Sequence, residues 1–188
     1  MSQRDDLLTA AKKLLVEKGY HRTTARDIVA ESGAHLASIG YHYGSKDALM
    51  TAATIEAQGE WGDAIDAALR LASEASPSER LQIGVGELIP AMTRQREVLK
   101  ASVQAYAQAG FDDEIRQVLA DGARGARTDL AAGVLGLDPE EVDADTAEGL
   151  GSVIHALIAG LSLQALIEPE SLPSGEQVGR ALRTLTGQ

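Results

Sequence analysis

Three features of the chain predict an all-helical fold. No segment sustains apolar/polar alternation, and no β-branched run lies between turn signals. Helix starts and stops recur instead: Ser, Thr or Asp shortly before an acidic residue at the front, Gly or Pro at the back. The 188 residues are 44% hydrophobic but only 3% aromatic. Leu, Ile, Val and Ala must therefore fill the core, and Ala favours helix.

The elements follow in order. A first helix covers about Arg4 to Lys18, with Leu7, Leu8, Ala11, Leu14 and Leu15 on one face. Gly19 stops it, since glycine takes the left-handed conformation that ends helices. Thr24 caps a second helix, and Asp27 can reach back three residues in a variant of the capping box. Ile28 and Val29 supply its buried side. Ser32-Gly33 breaks the chain. A short third helix follows, about His35 to Tyr41, with Leu36 and Ile39 expected to face inward. Helix, glycine turn and short helix together have the sequence form of a helix-turn-helix. After Gly44, Ser45 caps a long fourth helix to about Ser73, interrupted by Gly59 and Gly62, with Asp47 at its positive dipole end. Ser76-Pro77-Ser78-Glu79 starts a fifth helix to about Met92 or Thr93, which Pro90 bends or ends. A sixth covers about Gln95 to Gln108, and a seventh Asp112 to about Leu135. Asp138-Pro139-Glu140-Glu141 signals the start of an eighth, within Pro139 to Glu168. Ser174 caps a last helix through about Leu185. The total is about nine.

Charge is unevenly spread. The chain carries a net −11, but residues 1–50 hold seven Lys/Arg against six Asp/Glu, and residues 51–188 ten against twenty-two. An acidic body repels nucleic acid, so any DNA contact belongs to the N-terminal segment. With no cysteine there is no disulfide framework and no thiolate site, which fits a cytoplasmic protein. No apolar run approaches the roughly 18 residues that a membrane helix needs, so no membrane partner is expected. The four histidines lack zinc-ligand spacing. Asp112-Asp113-Glu114 reads as the acidic start of a helix rather than a metal site. There is no glycine-rich phosphate loop and no convincing nucleophile–base set, so neither cofactor, metal nor catalysis is expected.

Residues 7–50 carry a denser pattern: Gly19-Tyr20 after the first helix, Thr23-Thr24 opening the second, Ile28 within it, the Gly33-Ala34-His35 turn, Tyr41-His42-Tyr43, then Ser45-Lys46 and Leu49. This resembles the DNA-binding domain of the TetR (tetracycline-repressor-like) transcriptional regulators. The resemblance implies a helix-turn-helix domain over 1–46 and a ligand-binding and dimerisation domain over 47–188. It implies DNA contacts from Thr24, His35, Ser38, Tyr41, His42 and Lys46, with Arg22 and Arg26 as further phosphate contacts. Tyr43 is expected to pack under the turn. The chain departs from the family pattern at His35, Ala37 and Gly40, where Ser, Gly and Tyr are common. The operator therefore cannot be carried over from relatives.

For the remainder, the resemblance implies a ligand cavity and dimerisation through the last two long helices, about Asp143–Ile167 and Ser174–Leu185. The former is apolar nearly all round, so its own core and a partner must both cover it. Gly149, Gly151 and Gly160 would permit close helix approach. Trp61, Met92, Tyr106, Phe111 and His155 are the bulky or polar-tipped groups of an otherwise aliphatic domain, and are the candidate ligand contacts. The reading is a homodimeric, ligand-responsive regulator, most simply a repressor released from a palindromic operator by a small molecule. Its rival is a helical small-molecule-binding or interaction protein of the same fold that no longer binds DNA.

Overall fold

The computed structural model describes residues 2–72 and 74–186, with side chains at all but 64 and 186. Among them are nine helices and no strand: α1 Gln3–Lys18, α2 Ala25–Ser32, α3 Leu36–Tyr43, α4 Lys46–Leu71, α5 Pro77–Arg94, α6 Arg96–Gln108, α7 Asp113–Leu135, α8 Ala144–Ile167 and α9 Gly175–Thr186. The expected fourth-helix end at Ser73 lies outside the described residues.

The chain gathers into two compact units. One holds the residues up to Gly59 together with Gln95–Gly122; the other holds Glu60–Arg94 and the chain from Ala123 onward. In the first unit, α1 packs against α2, α3 and α6. Leu7, Leu14 and Leu15 are buried there with Ile28, Ile39, Leu49, Leu99 and Ile115. In the second, α5 packs against both α8 and α9. Val85, Leu88, Met92, Ile154, Leu161 and Val178 form part of its core. Arg80 Nε donates to the carbonyl of Gly133 at 2.8 Å, and its Nη1 to that of Ala72 at 3.1 Å. This places a cation at the carbonyl-rich end of α7, where the helix dipole favours it.

The start signals act as their local chemistry predicts. Thr24 and Asp27 form a reciprocal capping box. Ser45 Oγ accepts from the Ala48 N–H at 3.0 Å. The Ser76 and Ser174 hydroxyls accept from Glu79 and Gln177 N–H in turn. Gly33 adopts the left-handed region at φ 70°, which costs a side-chain-bearing residue more than glycine. α5 runs through Pro90 to Arg94, one residue past its expected end. One expectation needs correction. Asp138 starts only a single 3-10 turn, Pro139–Glu141; α8 begins at Ala144, capped by Asp143.

α8 contains a π-helical turn at Ala147–Gly151. By length and composition it could cross a membrane, at 24 residues and a mean hydropathy of 1.8. Within its unit it buries Ile154, Leu161, Ser162 and Ala165. The Ser162 hydroxyl reaches Met92 Sδ on α5 at 3.2 Å. Of the three glycines expected to allow close approach, Gly151 does so within the chain: a Cβ there would collide with the backbone carbonyl of Arg127 on α7. A Cβ on Gly149 or Gly160 would meet nothing within 4 Å.

Candidate nucleic-acid interface

The N-terminal three helices present one short helix to solvent. α3 starts at Leu36, one residue later than expected, with His35 as its N-cap in extended conformation. It buries Ile39 and half-buries Tyr43, which are four residues apart on one face. Leu36, Ala37, Gly40 and Tyr41 are all exposed. Leu36 was expected to face inward but is 56% exposed. Leu36 lies toward the side of Ile39 and Tyr43, but as the first residue of the helix it is only partly covered.

Tyr41 is 86% exposed. It meets the half-buried His42 edge-on, their ring centroids 4.8 Å apart. Ser38 is also half-buried, and His35 is exposed. Tyr43 packs under the turn: its hydroxyl donates to the Arg4 carbonyl at 2.9 Å, and the Arg4 guanidinium lies 5.2 Å from its ring centroid. Burial raises its phenol pKa, against the lowering pull of Arg4.

Two helix N-termini flank α3, and they differ. At α2, the Thr24 hydroxyl donates to Asp27 Oδ2 at 2.7 Å, while the Asp27 N–H donates back to that hydroxyl at 3.2 Å. Lys18 Nζ lies 2.9 Å from Asp27 Oδ1. The Lys18 ammonium, followed by the Thr24 N–H and hydroxyl, holds the Asp27 carboxyl well below the usual carboxylate range. At α4 the first residue is Lys46. Its ammonium is 2.9 Å from Asp47 Oδ1 and 5.3 Å from the Tyr20 ring centroid. Tyr20 is buried, with its hydroxyl donating to the Asp47 carbonyl at 3.3 Å. Burial, with Asp47 beside it, raises the Tyr20 phenol pKa far above normal. Lys46 is thus held at the helix start by an aromatic face. Arg22 is exposed but anchored, its Nε donating to the Lys18 carbonyl at 2.6 Å, and Arg26 is exposed.

The five candidate ligand contacts are divided between the two units. Trp61, Met92 and His155 belong to the second unit; Tyr106 and Phe111 belong to the first. Trp61 and Met92 are buried, and Phe111 is 95% exposed in the loop after α6. His155 is half-buried, and its pKa is lowered by burial and secondarily by Arg127, which keeps the imidazole neutral near pH 7. An open hollow of about 840 Å³ in the second unit is lined by Glu79, Gln82, Ile83, Gly86, Gly175 and Glu176, among others, and by none of these five.

Three N-terminal helices that leave one short helix exposed, in a chain otherwise helical, have the form of a helix-turn-helix regulator. Family comparison agrees along most of the chain. Residues 7–53 match the family described as bacterial regulatory proteins of the tetR family, and residues 77–188 match the C-terminal domain of BetI-type transcriptional repressors. The chain belongs to the TetR family of transcriptional regulators, a class that is not enzymatic. Among its relatives is the HTH-type transcriptional regulator BetI of Rhizobium meliloti (strain 1021), 28% identical over 87% of this chain and 79% of that one. The fold matches a crystal structure of a transcriptional regulator from Rhodococcus sp. RHA1, with a TM-score of 0.70 at 22% identity over 98% of this chain and 95% of that one. It also matches the multidrug binding protein EbrR, solved with imidazole, at a TM-score of 0.66 and 26% identity over 98% and 95%. Regulators of this family bind DNA and small-molecule effectors, usually as dimers.

Sequence reasoning missed the exposure of Leu36 on α3. It also missed a stripe on α8: Val153, Ala156, Gly160, Leu163 and Ile167 recur at alternating spacings of three and four. Four of them are exposed, and Gly160 opens onto empty space. The stripe was hidden because α8 is apolar on every side, so periodicity alone could not separate its inner from its outer face.

Proposed function

We propose that this protein is a cytoplasmic, ligand-responsive repressor that binds a palindromic operator as a homodimer and leaves it when a small molecule binds. In functional terms, residues 1–46 read DNA and residues 47–188 bind the effector and dimerise. This division cuts across packing, since α6 and part of α7 fold with the N-terminal helices. The observation that carries the reading is the outward face of α3, left uncovered beside two helix N-termini. That arrangement suits a helix lying in the major groove with phosphates gripped on either side.

The roles follow from position. Tyr41 and His35 face the base edges, with Ser38 and His42 at the margin. Thr24 and Lys46 contact backbone phosphate, Lys46 by exchanging its Asp47 partner for the phosphate. The BetI-type match supports repression, and EbrR, a binder of small molecules, supports an effector. Of the bulky candidates, Trp61, Met92 and His155 have the burial that an enclosed effector site needs. The α8 stripe has the heptad spacing of a helix–helix seam, and small residues at its centre allow close approach. Two α3 helices related by a dimer axis would meet half-sites about 34 Å apart.

Selection of genomic fragments by the purified protein, followed by mobility shift, tests this. A discrete bound fragment with a two-fold repeat is expected. Lys46→Ala should weaken binding to all sequences alike and lower the salt slope by about one. Failure to retain any fragment above non-specific affinity would favour the rival, a fold-mate that binds only small molecules.

A further inference from the structure

We propose that α3 reads its operator chiefly through thymine methyl groups, seated in the notch that Leu36, Ala37 and Tyr41 form around Gly40. The inference rests on the DNA-binding reading above and names the chemistry of recognition within it.

The first ground is what α3 lacks. Its eight residues are Leu-Ala-Ser-Ile-Gly-Tyr-His-Tyr. None is Arg, Lys, Asn or Gln, the side chains that pair bidentately with guanine or adenine edges. Its hydrogen-bonding groups other than Tyr41 are half-buried. The second ground is what its outer face offers instead. Gly40 lies four residues after Leu36 and three after Ala37, the two spacings that adjoin on a helix surface. A Cβ on Gly40 would meet nothing within 4 Å, so the backbone lies bare between Leu36 on one side and the Tyr41 ring on the other. A lone exposed leucine needs no explanation. An exposed leucine beside an alanine, a bare glycine and an exposed tyrosine is a continuous apolar surface about one side chain wide. In the major groove the single apolar feature of the bases is the thymine C5 methyl. The notch accepts that methyl, and the Tyr41 hydroxyl can donate to the neighbouring O4.

The magnitude is set by one methyl-sized group leaving water, about fourfold in affinity per contact. In a symmetric operator the effect doubles in free energy, to about 15-fold.

The experiment uses the tightest fragment from the genomic selection, resynthesised with deoxyuridine replacing thymidine at one symmetric pair of positions at a time. Deoxyuridine removes the methyl and keeps the pairing edge. At least one pair is expected to weaken wild-type binding by about 15-fold. Leu36→Ala should bind the thymine duplex more weakly and distinguish it from the uracil duplex by less than twofold. Gly40→Ala, which fills the notch, should do likewise; both variants change exposed positions, and thermal melting confirms that they fold. Unchanged affinity for every uracil duplex would overturn the methyl readout while leaving DNA binding intact. A uracil penalty that persists in both variants would overturn the placement at Leu36 and Gly40. Absence of any selected fragment would overturn the DNA-binding reading together with this one.

Discussion

α3 and α8 both leave apolar side chains in water, and the spacing of those residues separates what each is for. On α3 they cluster within one turn and a half, at 36, 37 and 41, around the bare Gly40. On α8 they extend from Val153 to Ile167 as a line, every third or fourth residue. A cluster matches a point feature such as a base edge. A line with heptad period matches another helix laid alongside. The two exposures therefore suit partners of different shape, and substitutions on one helix can be set against substitutions on the other.

The largest effect is expected at the seam. Leu163→Glu buries a carboxylate against its own symmetry mate if α8 pairs with α8, and like charges there cannot both be solvated. Sedimentation should show dimer replaced by monomer at micromolar concentration, with palindrome affinity lost and the melting temperature of the isolated subunit little changed. A Leu163→Glu protein that remains dimeric would remove α8 from the interface.

Next in size is the contrast within α8 between Gly151 and Gly160. A methyl on Gly151 has to push aside the carbonyl of Arg127, a backbone atom that cannot rotate away. Overpacking of this kind costs about 1–3 kcal/mol, read as a lower denaturant midpoint. Gly160→Ala meets no such obstacle within its own chain. If the two alanines destabilise equally, the close approach of α7 and α8 is not what Gly151 is there to permit.

Sequence made the ends of these helices legible and left their faces obscure. Thr24–Asp27, Ser45, Ser76–Glu79 and Ser174 act through groups three residues away, so the information is local and the caps stand where the residues said. Facing is decided by what lies across the contact. Leu36 and Ile39 make a reasonable inward pair at i, i+3, yet so do Ile39 and Tyr43 at i, i+4, and eight residues are too few for periodicity to choose. In α8 the obstacle is the reverse: nearly every position is apolar, so Gly151 against a neighbouring backbone and Gly160 against open space look alike in sequence. Phe111 shows a third limit. An aromatic side chain suggested a core or a cavity, but its loop leaves it exposed.

The smallest effect is also the one that separates stability from recognition. Gly40 on α3 and Gly160 on α8 both sit inside helices with nothing within 4 Å of where a Cβ would go. Replacing either by alanine restricts the unfolded chain and improves helix propensity, so each should stabilise the protein by about 0.5–1 kcal/mol. Thermal melts of the two variants should therefore move in the same direction. Their functional readouts should not. Gly40→Ala narrows the notch on α3 and should weaken operator binding while leaving the dimer constant alone. Gly160→Ala thickens the centre of the α8 stripe and should alter the dimer constant, touching DNA affinity only through dimer concentration. A Gly40→Ala protein that is more stable and binds operator as well as before would mean that the bare glycine is tolerated rather than used, and that the outer face of α3 reads DNA through Leu36 and Tyr41 without a notch between them.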